Sequence, residues 1–186
     1  MSWVETSPAV ASAIDIAMFK SSLRVTHNVE DTLIQLYVKM ATDIIELKTG
    51  RALVNRGVRL QLPSFPASGE SIRIPLYPLF SVGSIESDGE TWDDENYILD
   101  KTSLRPLVSP RPGVSYPSSV GPVTVNFTAG YGVSYSSVPS GLQYIVFALA
   151  THFYLNRTPV MTGGGSAVEV PKTLDYAILA YKIWEA

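Results

Sequence analysis

The sequence predicts an α+β fold, with a four-helix core and an antiparallel β region inserted between the second and third main helices. Apolar residues recur at helical spacing before residue 50 and after residue 138, and at every second position between them. Nine prolines between residues 63 and 122 divide the middle of the chain into short strands. The length of 186 residues is that of one domain.

The predicted single domain, residues 1–186, has four parts. Residues 1–56 are expected to be helical, and residues 57–132 form the β-rich insert. A core helix follows at residues 138–158, and a C-terminal helix covers residues 171–186. All four parts follow from the change of hydrophobic period along the chain.

Composition limits the classes of function. Apolar residues make up 46% of the chain and charged residues 17%, with a net charge of −3 and no cluster of lysine and arginine. A protein that binds the phosphates of a nucleic acid needs a concentrated positive field. This composition therefore disfavours nucleic-acid binding. The chain has no cysteine, which excludes disulfides, zinc sites built on thiolates and cysteine nucleophiles.

The sequence predicts neither a secretory signal nor a membrane-spanning segment. Residues 1–19 lack a basic region and include Glu5 and Asp15, unlike a signal peptide. The longest apolar stretch, residues 142–155, is too short to span a bilayer. The sequence therefore predicts a soluble protein made in the cytoplasm, with no membrane partner.

The first long helix is predicted to begin at Asn28 and to end at Gly50. At 100° per residue its apolar side chains cover an arc of roughly 200°, wider than a single core contact needs. Such a helix is either central in its own domain or shared with a neighbour. Leu33 and Ile44, at the centre of the arc, are expected to be core. The flank expected to meet a neighbouring subunit or the β insert holds Ile34, Val38 and Ile45.

Between residues 58 and 131 the sequence predicts short antiparallel strands. Val58, Leu60 and Leu62 alternate with polar residues. Asp88-Gly89 is a hairpin turn sequence, and a long connection is expected around residues 109–119.

The two C-terminal helices differ in their predicted surroundings. Residues 142–155 are apolar around the whole axis, which predicts a helix buried on all sides. Gly163, Gly164 and Gly165 then form a flexible hinge. The last helix has two apolar faces, which implies that one packs on the core and the other on a partner. The alternative is that both faces are buried within the subunit.

No group of residues in the sequence forms a credible active site. His27 precedes a helix, His152 lies within an apolar one, and neither accompanies a serine nucleophile motif. The run Asp93–Glu95 lacks the spaced ligands of a calcium loop, and the triple glycine lacks the strand, helix and lysine of a phosphate loop. We therefore expect no catalytic residue, no metal site and no cofactor.

Three segments carry a family resemblance. They are Leu47–Leu53 (LKTGRAL), residues 127–132 (FTAGYG) and residues 151–157 (THFYLNR). In this order they resemble the head–tail connector, or adaptor, proteins of long-tailed bacteriophages and gene transfer agents. The likeness runs from about residue 23 to residue 181.

The resemblance implies a structural role in the virion, at the head–tail junction. It implies a twelve-membered ring beneath the portal of the DNA-filled head, with a head-closure or tail protein at the other end of the ring. DNA would pass through the channel without specific binding. The C-terminal helix would dock on the portal, and the residues of its docking face would be Tyr176, Leu179, Tyr181, Ile183 and Trp184.

Two other functions stay open from the sequence. The chain could be another virion joint, such as a tail-completion or head-closure protein. It could instead carry a small apolar ligand, which would require a monomer with an enclosed apolar pocket.

Overall fold

The computed structural model describes residues 2–118, 121–156 and 172–183 of the chain. It contains four α-helices and two antiparallel sheets in these ranges, which confirms the α+β class. The residues group into two compact units. The helical unit comprises residues 11–53 and 134–186, and the β unit comprises residues 1–10 and 54–133.

The helical unit contains α1 (Ile16–Ser22), α2 (Asp31–Thr49), α3 (Ser140–Leu155) and α4 (Lys172–Tyr181). The helix α2 begins slightly later than predicted, since Glu30 rather than Asn28 is its N-terminal boundary residue. It ends as predicted at Gly50, whose φ of 70° is a left-handed conformation that glycine adopts without strain.

Asp15 caps the N-terminus of α1, which begins at Ile16. Its carboxylate accepts hydrogen bonds from the backbone amides of Ala17 at 2.8 Å and Met18 at 3.2 Å. The bond from the Met18 amide lowers the pKa of Asp15 below its ordinary value, and the Tyr135 hydroxyl adds to the effect.

The core of the helical unit lies where α2 packs against α3. The buried face of α2 consists of Ile34, Val38, Ala41, Ile45 and Thr49. The buried face of α3 consists of Leu142, Ile145, Val146, Leu149 and Ala150. The helix α1 contributes Phe19, which is buried. Its ring packs edge to face against that of Phe147, with 5.0 Å between the ring centres.

This burial corrects the flank predicted to meet a neighbouring subunit. Ile34, Val38 and Ile45 are fully buried within the chain, so they have no exposed surface to offer another copy. Leu33 and Ile44, expected at the centre of the core, are only half-buried. The predicted apolar arc of α2 is so wide that either of its sides could face the core. The sequence of this helix alone does not determine which side packs against α3.

The prediction that α3 is buried on all sides is also wrong. Tyr144 and Leu155 are exposed, and His152 is half-buried. An apolar side chain can remain at the surface of a subunit, because burial is decided by the neighbouring elements rather than by hydrophobicity alone.

The β unit contains eight strands in the described residues. They are β1 (Ser2–Ser7), β2 (Arg56–Leu62), β3 (Ile72–Arg73), β4 (Leu79–Ser87), β5 (Glu90–Thr91), β6 (Tyr97–Asp100), β7 (Leu107–Pro110) and β8 (Val123–Ala129). One sheet has the order β1-β2-β8-β4-β5, and the other has the order β3-β7-β6.

The predicted alternation and turn are present in the large sheet. In β8 every second side chain is buried, from Val123 to Ala129. The turn between β4 and β5 has positive φ at Asp88 (54°) and Gly89 (83°), as a two-residue hairpin of this twist requires.

The N-terminus differs from the prediction that residues 1–56 are helical. Residues 2–7 form β1, which pairs antiparallel with β2, and all six side chains are exposed. The β region is therefore not only an insert between two helices, because the N-terminus supplies one of its strands. Strand β1 has no buried alternating face, and its pairing partners in β2 lie between 50 and 59 residues away in the sequence. The single connector domain stays a prediction.

Candidate functional site

Residues at and just after the end of α2 anchor the helix α4 within the helical unit. Arg51 donates from Nε to the carbonyl oxygen of Tyr181 at 2.7 Å, and its guanidinium lies 6.0 Å from the centre of the Tyr181 ring. The backbone amide of Ile183 donates to the carbonyl of Thr49 at 3.0 Å. The LKTGRAL segment of the resemblance thus supplies both the left-handed end of α2 and the anchor for α4.

Tyr181 is an anchoring residue in this arrangement. It is half-buried, and its hydroxyl end lies so close to Gly141 at the start of α3 that a Cβ atom there would overlap it. The sequence assigns Tyr181 to the docking face, but its side chain lies between α3 and Arg51. Ile183, assigned to the same face, is also half-buried.

The remaining residues of α4 show two distinct faces. Leu174 and Ile178 are buried, whereas Tyr176 and Leu179 are exposed. Trp184 lies outside the described residues, as do Gly163, Gly164 and Gly165 of the predicted hinge. The helix therefore leaves an apolar surface exposed at Tyr176 and Leu179.

Two side chains that contact α4, Lys48 of α2 and Arg51 just after it, differ in the expected strength of their contacts. Replacing Arg51 with methionine should raise the hydrogen-exchange rates of α4 amides by about tenfold or more, because a hydrogen bond from a charged donor contributes about 1.5–3 kcal/mol. The matched control is Lys48→Met, which removes an exposed ion pair with Asp175 at 3.4 Å. Exposed pairs contribute little, so its exchange rates should stay close to those of the native chain. Equal protection of α4 in both variants would contradict the anchoring role of Arg51.

A second apolar surface runs along α2. It consists of Leu36, Met40 and Leu47, which are 52%, 39% and 86% exposed. At 100° per residue these three side chains lie within about 40° of one another, roughly opposite the buried face of the helix. We call them the α2 stripe. Sequence reasoning missed this stripe, because no local signal distinguishes it from the buried flank.

A third apolar surface lies on α3. Tyr144 and Leu155 are 67% and 69% exposed. They are eleven residues apart, so at 100° per residue they lie within about 20° of one another, again roughly opposite the buried face. We call this pair the α3 stripe. The sequence-based prediction had every side of α3 buried, so it left no exposed face on this helix.

Both histidines belong to the helical unit, and the acidic run belongs to the β unit. His27 is exposed, and the backbone carbonyl of His152 accepts from the Asn156 side-chain amide at 2.8 Å. The run Asp93–Glu95 is exposed and leads into β6. Within residues 2–118, 121–156 and 172–183, no three histidine, aspartate or glutamate residues converge as a metal site.

A surface depression in the β unit bears on the ligand-carrier alternative. Its volume is about 510 Å³, and it is lined by Glu70, Ser71, Arg73 and Leu107. Charged side chains at an open depression do not provide the enclosed apolar chamber that such a carrier needs.

None of the helices in the described part of the chain has the length and apolar character that a membrane span requires.

The FTAGYG segment has a structural role in the β unit. Gly130 has a φ of 141°, and a Cβ atom on it would lie 2.6 Å from both the Cα of Asn55 and the carbonyl carbon of Val54. Its amide donates to the carbonyl of Pro78 at 2.9 Å. Only glycine fits this close approach of two backbones.

Comparisons with known proteins give a family match over part of the chain and a fold match over all of it. Residues 13–82 match the family model described as phage gp6-like head-tail connector protein. No curated protein matches the chain.

Three solved structures match over the whole of this chain and 97% of their own. The neck of an empty gene transfer agent (GTA) particle, computed with C6 symmetry, has a TM-score of 0.81 at 24% identity. The neck of the native GTA particle, computed with C12 symmetry, has a TM-score of 0.79 at 24% identity. The virion of the native particle has a TM-score of 0.79 at 25% identity.

Proposed function

This chain is related over residues 13–82 to the phage head–tail connector proteins, and on that premise we propose that it forms a ring beneath the portal of a DNA-filled head. The chain is a structural joint of a phage or gene transfer agent virion rather than a member of an enzyme family. Its ring connects the head to a tail or head-closure protein and continues the DNA channel.

The observation that carries this proposal is the fold match along the full chain. Chains from GTA necks share the fold over 100% of this chain and 97% of their own, so the likeness includes both units. A partial match would support a shared unit used for another purpose. The particles in question were computed with sixfold and twelvefold symmetry, and a twelve-membered ring of this chain is the corresponding assembly.

The net charge suits a channel through which DNA moves. Each copy carries −3, so a ring of copies is acidic as a whole. Phosphates are held by lysine and arginine, and an acidic wall lacks the contacts that would stop DNA from sliding. DNA therefore passes the ring without specific binding.

The decisive experiment locates the chain in particles. Heads, portal and this chain are produced together with the neighbouring structural proteins, and purified particles are analysed by quantitative mass spectrometry and by imaging of the neck. We expect about twelve copies per particle, located between the portal and the next neck protein. Copies at the tail tip, or a different number at a later neck position, would favour another virion joint. A monomer that stays outside particles and holds a bound apolar molecule would favour the ligand carrier.

The exposed face of α4 is the surface that docks on the portal. Replacing both Tyr176 and Leu179 with glutamate should leave the thermal unfolding of the free chain nearly unchanged, because both side chains are exposed. Recruitment to portal-bearing heads should fall at least tenfold, because charges buried at an interface without partners are costly. The matched control is Val29→Glu, at a side chain that is 90% exposed and lies before α2. Equal recruitment of the double variant and the control would exclude α4 as the docking element.

A further inference from the structure

The helical unit carries two apolar stripes that its own core does not use. We propose that the α2 stripe of one copy packs against the α3 stripe of the next copy around the ring. The α2 stripe is Leu36, Met40 and Leu47, and the α3 stripe is Tyr144 and Leu155. This inference rests on the proposed ring and names the surfaces that build it.

The two stripes lie on different sides of the helical unit. The helices α2 and α3 pack against each other, and each stripe lies roughly opposite the buried face of its own helix. A stripe on the outward face of α2 and a stripe on the outward face of α3 therefore cannot meet within one subunit.

A second copy of the chain is the occupant that fits this arrangement. In a cyclic assembly each contact is heterologous, which means that one surface of a subunit meets a different surface of its neighbour. The subunit must then carry two complementary patches on different sides, and both stripes are of similar apolar character. One chain thus supplies both halves of the contact.

The chemistry of the stripes favours a protein surface over nucleic acid. The α2 stripe contains no basic side chain, so it offers nothing to nucleic-acid phosphates. The Lys39–Asp43 ion pair, 3.2 Å long, lies beside the α2 stripe and would form part of a polar rim. Exposed apolar side chains with a charged border are typical of a protein–protein contact.

Chemical crosslinking tests the contact directly, because the chain has no native cysteine. Two double variants place one cysteine in each stripe: Met40→Cys with Tyr144→Cys, and Met40→Cys with Leu155→Cys. Together they cover both relative directions of the two helices. The variants are incorporated into particles and treated with a flexible bis-maleimide, and denaturing electrophoresis then reports the covalent products.

We expect a ladder of dimers, trimers and larger products from at least one double variant. Each single variant should stay monomeric on the gel, because identical positions of neighbouring copies do not meet in a heterologous contact. The pair Met40→Cys with Val29→Cys is the matched control and should give at least tenfold less product, since Val29 belongs to neither stripe. A strong dimer band from Met40→Cys alone would overturn the proposal, because it would indicate a two-fold contact.

Failure of this contact is distinguishable from failure of the proposed function. Particles that contain the variant chain at the neck but give no ladder from either double variant would overturn the contact and leave the connector role intact. Absence of the chain from necks, in particles made with the native sequence, would overturn the connector role itself.

Discussion

Replacing Val38 with glutamate is expected to destabilise the helical unit strongly. The side chain is 2% exposed and lies on the buried face of α2, between Ile34 and Ile45. A carboxylate placed there loses its hydration and gains no partner, which costs about 3–5 kcal/mol for an uncompensated buried charge. A domain is typically stable by about 5–15 kcal/mol, so the change removes a large share of its stability.

The matched control places the same charge on the opposite face of the same helix. Leu36→Glu and Met40→Glu add a carboxylate to the α2 stripe, where water remains in contact with it. Thermal unfolding of the free chain should change little for these two variants and strongly for Val38→Glu. If Val38→Glu melts with the native chain while Met40→Glu unfolds, the buried and exposed faces of α2 have been assigned the wrong way round.

The second large effect is expected at Gly130. Substitution by alanine forces a side chain into a φ of 141° and places its Cβ against the backbone of Val54 and Asn55. Strained backbone conformations cost about 1–3 kcal/mol and overpacking costs a similar amount, so we expect a total loss of about 2–6 kcal/mol. The backbone of residues 54–55 cannot rotate away as a side chain could.

Gly113→Ala separates the two causes of this loss. Gly113 also has a positive φ, 83°, but a Cβ atom there would meet nothing within 4 Å. Chemical denaturation of both variants should therefore show a clearly larger loss for Gly130→Ala than for Gly113→Ala. Equal losses would mean that backbone conformation alone requires glycine in FTAGYG, and that the close approach contributes nothing.

Much of the local structure could be predicted from the sequence. The end of α2 at Gly50, the hairpin at Asp88-Gly89 and the alternation in β8 each depend on residues within a few positions of one another. The two faces of α4 were also predictable, because Leu174 and Ile178 share one side of a helix while Tyr176 and Leu179 share another. Local patterns of this kind report backbone geometry and amphipathicity directly.

The resemblance carried the functional interpretation further than the residues alone. The resemblance to the head–tail connector family rests on three short segments, and one of them, Leu47–Leu53, lies within residues 13–82, which match the family model. Two of those segments include positions that the backbone restricts, at Gly50 and Gly130. Their residues are required by the fold, which explains why they indicate the family without forming a catalytic site.

By itself, the sequence determined the α+β class, the ends of several elements, the acidic charge and the two-faced last helix. Only the tertiary structure decided which side of a wide apolar arc became core. Ile34, Val38 and Ile45 are buried, and Leu36, Met40 and Leu47 are exposed, although all six side chains are apolar. It also decided that residues 2–7 join the sheet as β1. Both outcomes depend on elements that are distant in the chain, α3 in the first case and β2 in the second. The hydrophobic period of a segment does not indicate which distant element will pack against that segment.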